Sequence, residues 1–300
     1  MKALNRAAGP TPPPPHPADG PAACADGCCY NGGMSPLASP AASPAGTATA
    51  ASTVPLAQVV ALEERAFNAW PAHQTVFHQG WVFRLSGGYT KRANSVNALV
   101  AQAPFAGVHE AARAMYARHG LPAVFRISPL APAEADQELA KAGYQHFDPS
   151  LVLHRPLTAG MSPADQSTVV STSASVPWLE GFATANGVAA HHRALHRSML
   201  QAIAHPTAFA LQHDAHGQAV GFGLAVLERG AVGLYDLAVA PAHRGGGRGR
   251  ALVQALLHWA TEAGATSAYL QVRAQNTPAL RLYESMGFTT AYGYHYRVPG

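Results

Sequence analysis

The stretch from Leu234 to Leu252, LYDLAVAPAHRGGGRGRAL, joins an apolar, strand-like run to a helix through a glycine-rich turn. Gly245, Gly246 and Gly247 follow one another, and Gly249 comes two residues later. Without a Cβ these residues reach backbone conformations closed to others, so their N–H groups can approach a ligand closely. The helix that follows starts with unpaired amides and the positive end of its dipole, which suits a phosphate. Arg244, Arg248 and Arg250 bring positive charge to the same place. The turn reads as a pyrophosphate cradle.

Two common cradles do not fit. A dinucleotide-binding turn needs Gly-x-Gly-x-x-Gly directly after a strand, and Gly245, Gly247 and Arg250 break that spacing. A Walker A loop ends in Gly-Lys-Ser/Thr, whereas Gly249 is followed by Arg250 and Ala251. What remains is Arg-x-x-Gly-x-Gly, met by Arg244, Gly247 and Gly249. Downstream, QVRAQNTPALRLYESMGF (Gln271 to Phe288) carries Asn-x-x-Ala-x-x-x-Tyr-x-x-x-Gly-Phe. Together the two segments resemble the GCN5-related N-acetyltransferase (GNAT) superfamily, over Ser167 to Tyr296.

That resemblance implies an α/β (α+β) fold, with a mixed central sheet flanked by helices. It implies acetyl-CoA as co-substrate and direct transfer of the acetyl group to a primary amine, by default that of a small molecule. A protein N terminus or lysine is the alternative acceptor, and an acyl-CoA-binding module without turnover is the alternative outside enzymes. The folded part contains no cysteine, which argues against a cysteinyl acyl-enzyme.

Composition bounds the rest. Three hundred residues with 48% hydrophobic content suffice for one large or two modest domains. A formal charge of +4 without a Lys/Arg block does not indicate a nucleic-acid partner. No apolar run approaches the roughly 20 residues of a membrane span. Lys2 and Arg6 lead into Pro and Gly rather than an apolar signal region, so a cytoplasmic protein is expected. Cys24, Cys28 and Cys29 cluster near the start with only His16 beside them. They lack the second ligand pair of a zinc site, and no metal is expected.

Residues 1–53 are dominated by Pro, Ala, Gly, Ser and Thr and cannot bury enough surface to offset ordering entropy, so this tail is expected to be disordered. Residues 54–156 follow an alternating helix and strand order. Within them, QELAKAGYQHF places Leu139, Gly143 and Tyr144 where the later segment has Tyr283, Gly287 and Phe288. No Arg-x-x-Gly-x-Gly loop accompanies this copy, which implies a degenerate GNAT-like N-terminal domain ahead of an active one, as in tandem acetyltransferases. Residues 157–166 read as a linker and 167–300 as the catalytic domain. In the first part, Arg92, Asn94 and Ser95 form a polar stretch after Gly87-Gly88 that either shapes an acceptor pocket or closes a hydrogen-bonded loop.

Acetyl transfer needs a held thioester, a deprotonated acceptor and a proton for the leaving thiolate. The resemblance places Leu237, Ala238 and Val239 along the pantetheine arm, and Arg244, Gly245, Gly246, Gly247, Arg248, Gly249 and Arg250 around the pyrophosphate. It makes Asn276 a further contact for the arm and Tyr283 the donor to the thiolate. A phenol with an ordinary pKa of about 10 stays protonated at neutral pH, as a donor must. Thr277 and Pro278 read as the cap and first position of the helix that carries Tyr283. The general base stays open. Several GNAT enzymes carry Glu where this chain has Gly233; Asp236 and Glu228 are the nearest carboxylates, with Tyr235 adjacent. Strand alternation predicts that Tyr235 and Asp236 face opposite sides. A water chain or an already neutral amine would also serve. His191, His192 and His196 read as solvated or capping positions.

Overall fold

Periodicity places most helices and the apolar strands, and the computed structural model, which describes residues 52–158 and 167–300, shows how they join. The first half runs α1 (Leu56–Ala69), β1 (Gln74–His78), β2 (Trp81–Leu85), a 3-10 turn at Lys91–Ala93, β3 (Val96–Ala98), α2 (Val108–Arg118), β4 (Phe125–Ile127), α3 (Ala133–Lys141) and β5 (Gln145–Pro156). The second runs β6 (Thr168–Ser171), α4 (Val176–Ala185), α5 (Ala190–Gln201), β7 (Thr207–His213), β8 (Ala219–Glu228) and β9 (Ala231–Val239). After a 3-10 turn at Pro241–His243 come α6 (Arg248–Glu262), β10 (Ser267–Arg273), α7 (Thr277–Ser285) and β11 (Thr289–Val298). The low-complexity tail through residue 51, its cysteines, and linker residues 159–166 lie outside the described residues. Thr53, assigned by composition to the tail, instead donates its N–H to the Ala291 carbonyl at 2.8 Å.

The described strands form one mixed sheet in the order β1-β2-β3-β4-β11-β5-β10-β9-β8-β7-β6. Two strands cross between halves. β5 comes from the first half and lies between β11 and β10; β11 comes from the second and lies between β4 and β5. The turns that launch them match. Gly143 (φ +85°) ends α3 and Gly287 (φ +82°) ends α7. The next residue donates back five positions in each case: Tyr144 N–H to Leu139 O at 2.9 Å, and Phe288 N–H to Tyr283 O at 3.0 Å. Glycine is needed at both because the chain turns left-handed there.

Three strands carry little signature in the sequence. β11 (TTAYGYHYRV) was not anticipated as a strand because it is buried on both faces and shows no alternation. β5 carries only a short apolar run, Leu151–Leu153, its outer residues being polar and interrupted by Asp148 at φ +49°. β1 is an exposed edge strand joined to β2 by the two-residue turn Gln79-Gly80, both at positive φ.

The sheet separates two apolar clusters. One packs Val232, Leu234 and Leu270 against Leu252, Leu256 and Leu257 of α6. The other, facing α1, α4 and α5, gathers Trp70, Trp178, Phe182, Phe222, Tyr235 and Tyr292. Inside the second lies an ion pair between Glu63 of α1 and Arg126 of β4, 1% and 2% exposed. Arg126 donates twice to the Glu63 carboxylate, and the Tyr292 hydroxyl of β11 donates to it as well. The Arg126 guanidinium also lies 3.7 Å from the Tyr294 ring centroid. Burial opposes the Arg126 charge, but Glu63 outweighs it and raises the guanidinium pKa. Thus one buried carboxylate ties α1, β4 and the crossed strand β11 together. Among the described residues no helix is long and apolar enough to cross a membrane, and no cluster of His, Cys, Asp or Glu could hold a metal ion.

Two predictions follow from these ties. Glu63→Gln leaves Arg126 buried without a counter-charge and is expected to destabilise the fold by about 3–5 kcal/mol; a loss below about 1 kcal/mol in denaturant titration would show the pair to be dispensable. At the other end of β11, Asp136 of α3 accepts from Arg297 (2.6 and 2.8 Å) and pairs with His295 (2.7 Å). Burial works to raise the Asp136 pKa, but the Arg297 and His295 hydrogen bonds outweigh it and hold it well below the carboxylate range. A depressed folded pKa contributes stability above the unfolded value of about 3.9, lost as pH falls through the folded value. Asp136→Asn is therefore expected to lower the melting temperature at pH 7, with the gap to wild type closing towards pH 2; a gap independent of pH would contradict this.

Candidate active site

β9 is paired with β8 from Ala231, opposite Glu228, to Val239, opposite Gly221. On its other side the parallel pairing with β10 stops at Leu234 opposite Leu270, while β10 continues against β5 to Arg273. From Tyr235 onward β9 and β10 part, and a wedge opens between Tyr235–Val239 and Gln271–Arg273. At the same point the β8–β9 register slips: Phe222 faces Ala238 and Leu224 faces Tyr235, leaving Asp236 and Leu237 opposite Gly223. Asp236 takes φ +46° in this bulge. A Cβ on Gly223 would come within 2.9 Å of the Leu237 and Leu256 side chains, so glycine makes room for the extra residue.

The bulge overturns the alternation expected for Tyr235 and Asp236. Tyr235 stacks on Trp70 at 6.3 Å, and Asp236 meets His196 of α5 (Oδ2 to Nε2, 2.8 Å), whose ring lies 6.0 Å from the same Trp70. Both side chains therefore emerge on the α1/α5 side of the sheet. His196 is not solvated: it and Asp236 are each 2% exposed, and Tyr89, Trp178 and Phe182 ring the imidazole. The signal was the spacing of His196, Met199 and Leu200, which puts the histidine on the buried face of its helix. The Tyr235 hydroxyl donates to that of Tyr269 at 2.9 Å. Burial pushes Tyr235 up to about 12 and raises Tyr269 as well, so neither serves as a base near neutral pH. Gly233 has no room for a side chain, since a Cβ there would lie 2.6 Å from the Tyr235 ring and 2.7 Å from the Tyr269 ring.

On the α6/α7 side the wedge opens into a cleft of about 270 Å³. Leu237, Ala238 and Val239 form its β9 wall, and Arg244, Gly245, Gly247, Arg248, Gly249 and Arg250 form its end. Pro278, Ala279, Leu282 and the buried Tyr283 close it from α7. Gly245 and Gly247 sit at φ +82° and +78°, and a Cβ on Gly245, Gly246 or Gly247 would project into open space. No side chain caps the start of α6, whose first amides face the turn. Gly249 lets α7 approach, with Leu282 3.3 Å from where its Cβ would be. The three arginines are held by Val239 O (Arg244, 3.0 Å), His213 O (Arg248, 3.2 Å) and Ser285 Oγ (Arg250, 2.7 Å). Asn276 and Gly246 do not line the cleft. Asn276, rather than Thr277, caps α7, its Oδ1 accepting from Ala279 N–H at 3.3 Å.

Glu228 lies elsewhere. It ends β8 opposite Ala231, so five residues of β9, about 17 Å at strand rise, separate its level from Asp236. Its carboxylate accepts from Asn68 at 3.1 and 3.2 Å, pairs with Arg229 at 3.1 Å and lies 3.5 Å from His205. It lines a separate cavity of about 690 Å³ between α1, β1–β2 and the loop after α5. The structure thus places Tyr283 and the glycine turn on the cleft, Asp236 at the bulge on the opposite side of the sheet against His196, and Glu228 away from both.

Residues 56–297 match the family described as probable histone acetyltransferase Rv0428c, C-terminal. The chain is 28% identical over 241 residues to the uncharacterized N-acetyltransferase YobR of Bacillus subtilis, covering 79% of this chain and 97% of that one. It is 30% identical over 189 residues to mycothiol acetyltransferase of Pseudarthrobacter chlorophenolicus, covering 61% of this chain and 55% of that protein. A GCN5-related N-acetyltransferase structure from Kribbella flavida superposes with a TM-score of 0.59 at 15% identity, over 81% of this chain and 95% of the other. A mixed sheet split between two central strands beside a glycine-rich helix start, together with a family match across nearly all of the described chain, makes this protein a member of the Rv0428c acetyltransferase family and a GNAT-superfamily N-acetyltransferase.

Proposed function

We propose that this enzyme binds acetyl-CoA in the α6/α7 cleft and passes its acetyl group directly to a primary amine that reaches the wedge from the α1/α5 side. The observation that carries this reading is the parting of β9 and β10 after Leu234, beside a glycine turn and an uncapped helix start. GNAT acetyltransferases use acetyl-CoA, and the residues here fit it. The positive-φ glycines leave space for a pyrophosphate, the α6 amides face it, and Arg244, Arg248 and Arg250 supply charge. The apolar wall of Leu237 to Val239 suits the pantetheine arm, and β9 backbone groups freed from the β10 ladder suit its amides and the thioester carbonyl.

Within that arrangement Tyr283 lines the cleft and supplies the proton to sulfur as the carbon–sulfur bond breaks. The amine nitrogen forms the new bond to carbon and loses its own proton. Of the two carboxylates considered from sequence, Asp236 is the one at the wedge, and His196 fixes its orientation. We assign proton acceptance to Asp236, and to Glu228 a role in joining α1 to the β8–β9 turn. A small-molecule amine is the favoured acceptor, in keeping with the mycothiol acetyltransferase likeness; a protein amine is the second reading, favoured by the description of the matching family.

Calorimetry with acetyl-CoA and turnover with an amine library test the proposal together. Gly247→Glu strains a left-handed position and places a carboxylate in the cradle, so acetyl-CoA affinity is expected to fall by more than about tenfold. Tyr283→Phe is expected to keep that affinity and lower kcat by about 10² or more. Wild-type protein that binds no acetyl-CoA would sink the reading, and a Tyr283→Phe variant with undiminished kcat would remove Tyr283 from the chemistry.

A further inference from the structure

Arg92 stands over the acceptor side of the wedge. Its guanidinium lies 5.7 Å from the Tyr235 ring centroid and 5.4 Å from that of Trp70. Tyr235 is the first β9 residue past the end of the β10 ladder and the neighbour of Asp236. The Arg92 Nη2 is buried and has no hydrogen-bond partner among the described residues. Buried polar atoms are nearly always paired, and a charged donor left unpaired is costly, so this donor points to a partner from outside the described residues.

The loop that presents Arg92 is built rigidly. Asn94, 6% exposed, accepts from the N–H groups of Ser86 (2.7 Å) and Gly88 (3.0 Å). It donates to the carbonyls of Tyr89 (2.7 Å), Thr90 (2.9 Å) and Ser86 (3.3 Å). Arg84 donates to the Arg92 carbonyl at 2.6 Å, and Trp70 donates to the Thr90 hydroxyl at 3.0 Å. Such a knot fixes the backbone at Lys91 and Arg92 before any ligand arrives, which lowers the ordering cost of binding.

The charges around it complete the pattern. Lys91 pairs with Asp148 at 2.7 Å, and Arg273, at the end of the opposite lip of the wedge, pairs with the same carboxylate at 2.5 Å. Two cations, Lys91 and Arg273, thus share Asp148, while Asp236 is taken by His196. Arg92, over the Tyr235 ring next to Asp236, forms no ion pair among the described residues.

We propose that the acceptor is a small molecule carrying an anionic group, carboxylate or phosphate, near its amine, and that Arg92 binds that anion while the amine faces Asp236. This specificity rests on the acetyl-CoA reading above. A planar guanidinium with an unpaired Nη2 suits either oxyanion, and cation–π contacts with Trp70 and Tyr235 help hold it in place.

The test uses the full chain with saturating acetyl-CoA and paired amines: phenylalanine against phenethylamine, lysine against cadaverine, and O-phosphoethanolamine against ethanolamine. The first two pairs report a carboxylate and the third a phosphate. At least one anionic member is expected to exceed its neutral partner in kcat/KM by about tenfold or more. Arg92→Gln is expected to erase most of that ratio without altering acetyl-CoA affinity, and Arg92→Lys to restore part of it. Neutral members equal to or better than anionic ones on the wild type would overturn the proposal whether or not the variants fold. So would an Arg92→Gln variant in which both members of a pair lose rate equally, the mark of a merely structural stack. If no pair is turned over, binding of N-acetylphenylalanine and N-acetyl-O-phosphoethanolamine to the CoA-loaded enzyme decides, and absence of both overturns it. Failure of acetyl-CoA itself to bind would overturn the donor reading and this one with it, whereas intact binding without anion preference defeats this one alone.

Discussion

The structure depends on one carboxylate in the wrong solvent. Glu63, held almost dry between Arg126 and Tyr292, is where α1, the last first-half strand of the sheet's left wing, and the final strand meet. Taking both charges out of water is expensive, and only good geometry with further hydrogen bonds recovers the cost. The same contacts specify where β11 belongs. An apolar strand of Tyr, Ala and Val could slide against several neighbours, whereas one with Tyr292 aimed at a buried carboxylate has a single register.

Because β11 and β5 cross between halves, the wedge is a product of the whole chain. β10 forms one of its lips and is braced along its full length by β5, a first-half strand. β9 forms the other and is bent by the bulge at Asp236. The α1/α5 side of the wedge is furnished by Trp70, at the end of α1, and by Arg92, in the turn before β3. The half without the glycine turn therefore supplies a strand and part of the wedge wall to the half that has it.

What could be read locally was read well. The glycine turn before α6 was legible because its positive-φ positions need glycine, and the turns at Gly143 and Gly287 rest on the same freedom. The wedge geometry was not. Asp236 occupies a left-handed conformation without being glycine, so no residue type announces the bulge, and the rule of alternation then misplaces its neighbour Tyr235. The His196–Asp236 contact joins residues 40 apart in sequence, each unremarkable on its own element. Glu228 illustrates the converse: near Asp236 in a list of carboxylates, it is carried to the other end of β9 by the antiparallel turn between them.

The crossing of β11 also bears on how the chain comes off the ribosome. β4 pairs on one side with β3 and on the other with β11, which is synthesised after every other described strand. Through most of translation β4 and β5 therefore present open edges next to apolar faces, a state prone to pairing with other chains. Contacts between segments this distant in sequence also form slowly, since loop closure precedes their reward. The short length of β4, three residues, limits the exposed ladder during that interval. β11 is thus the strand that closes the gap between β4 and β5 and joins the two wings of the sheet.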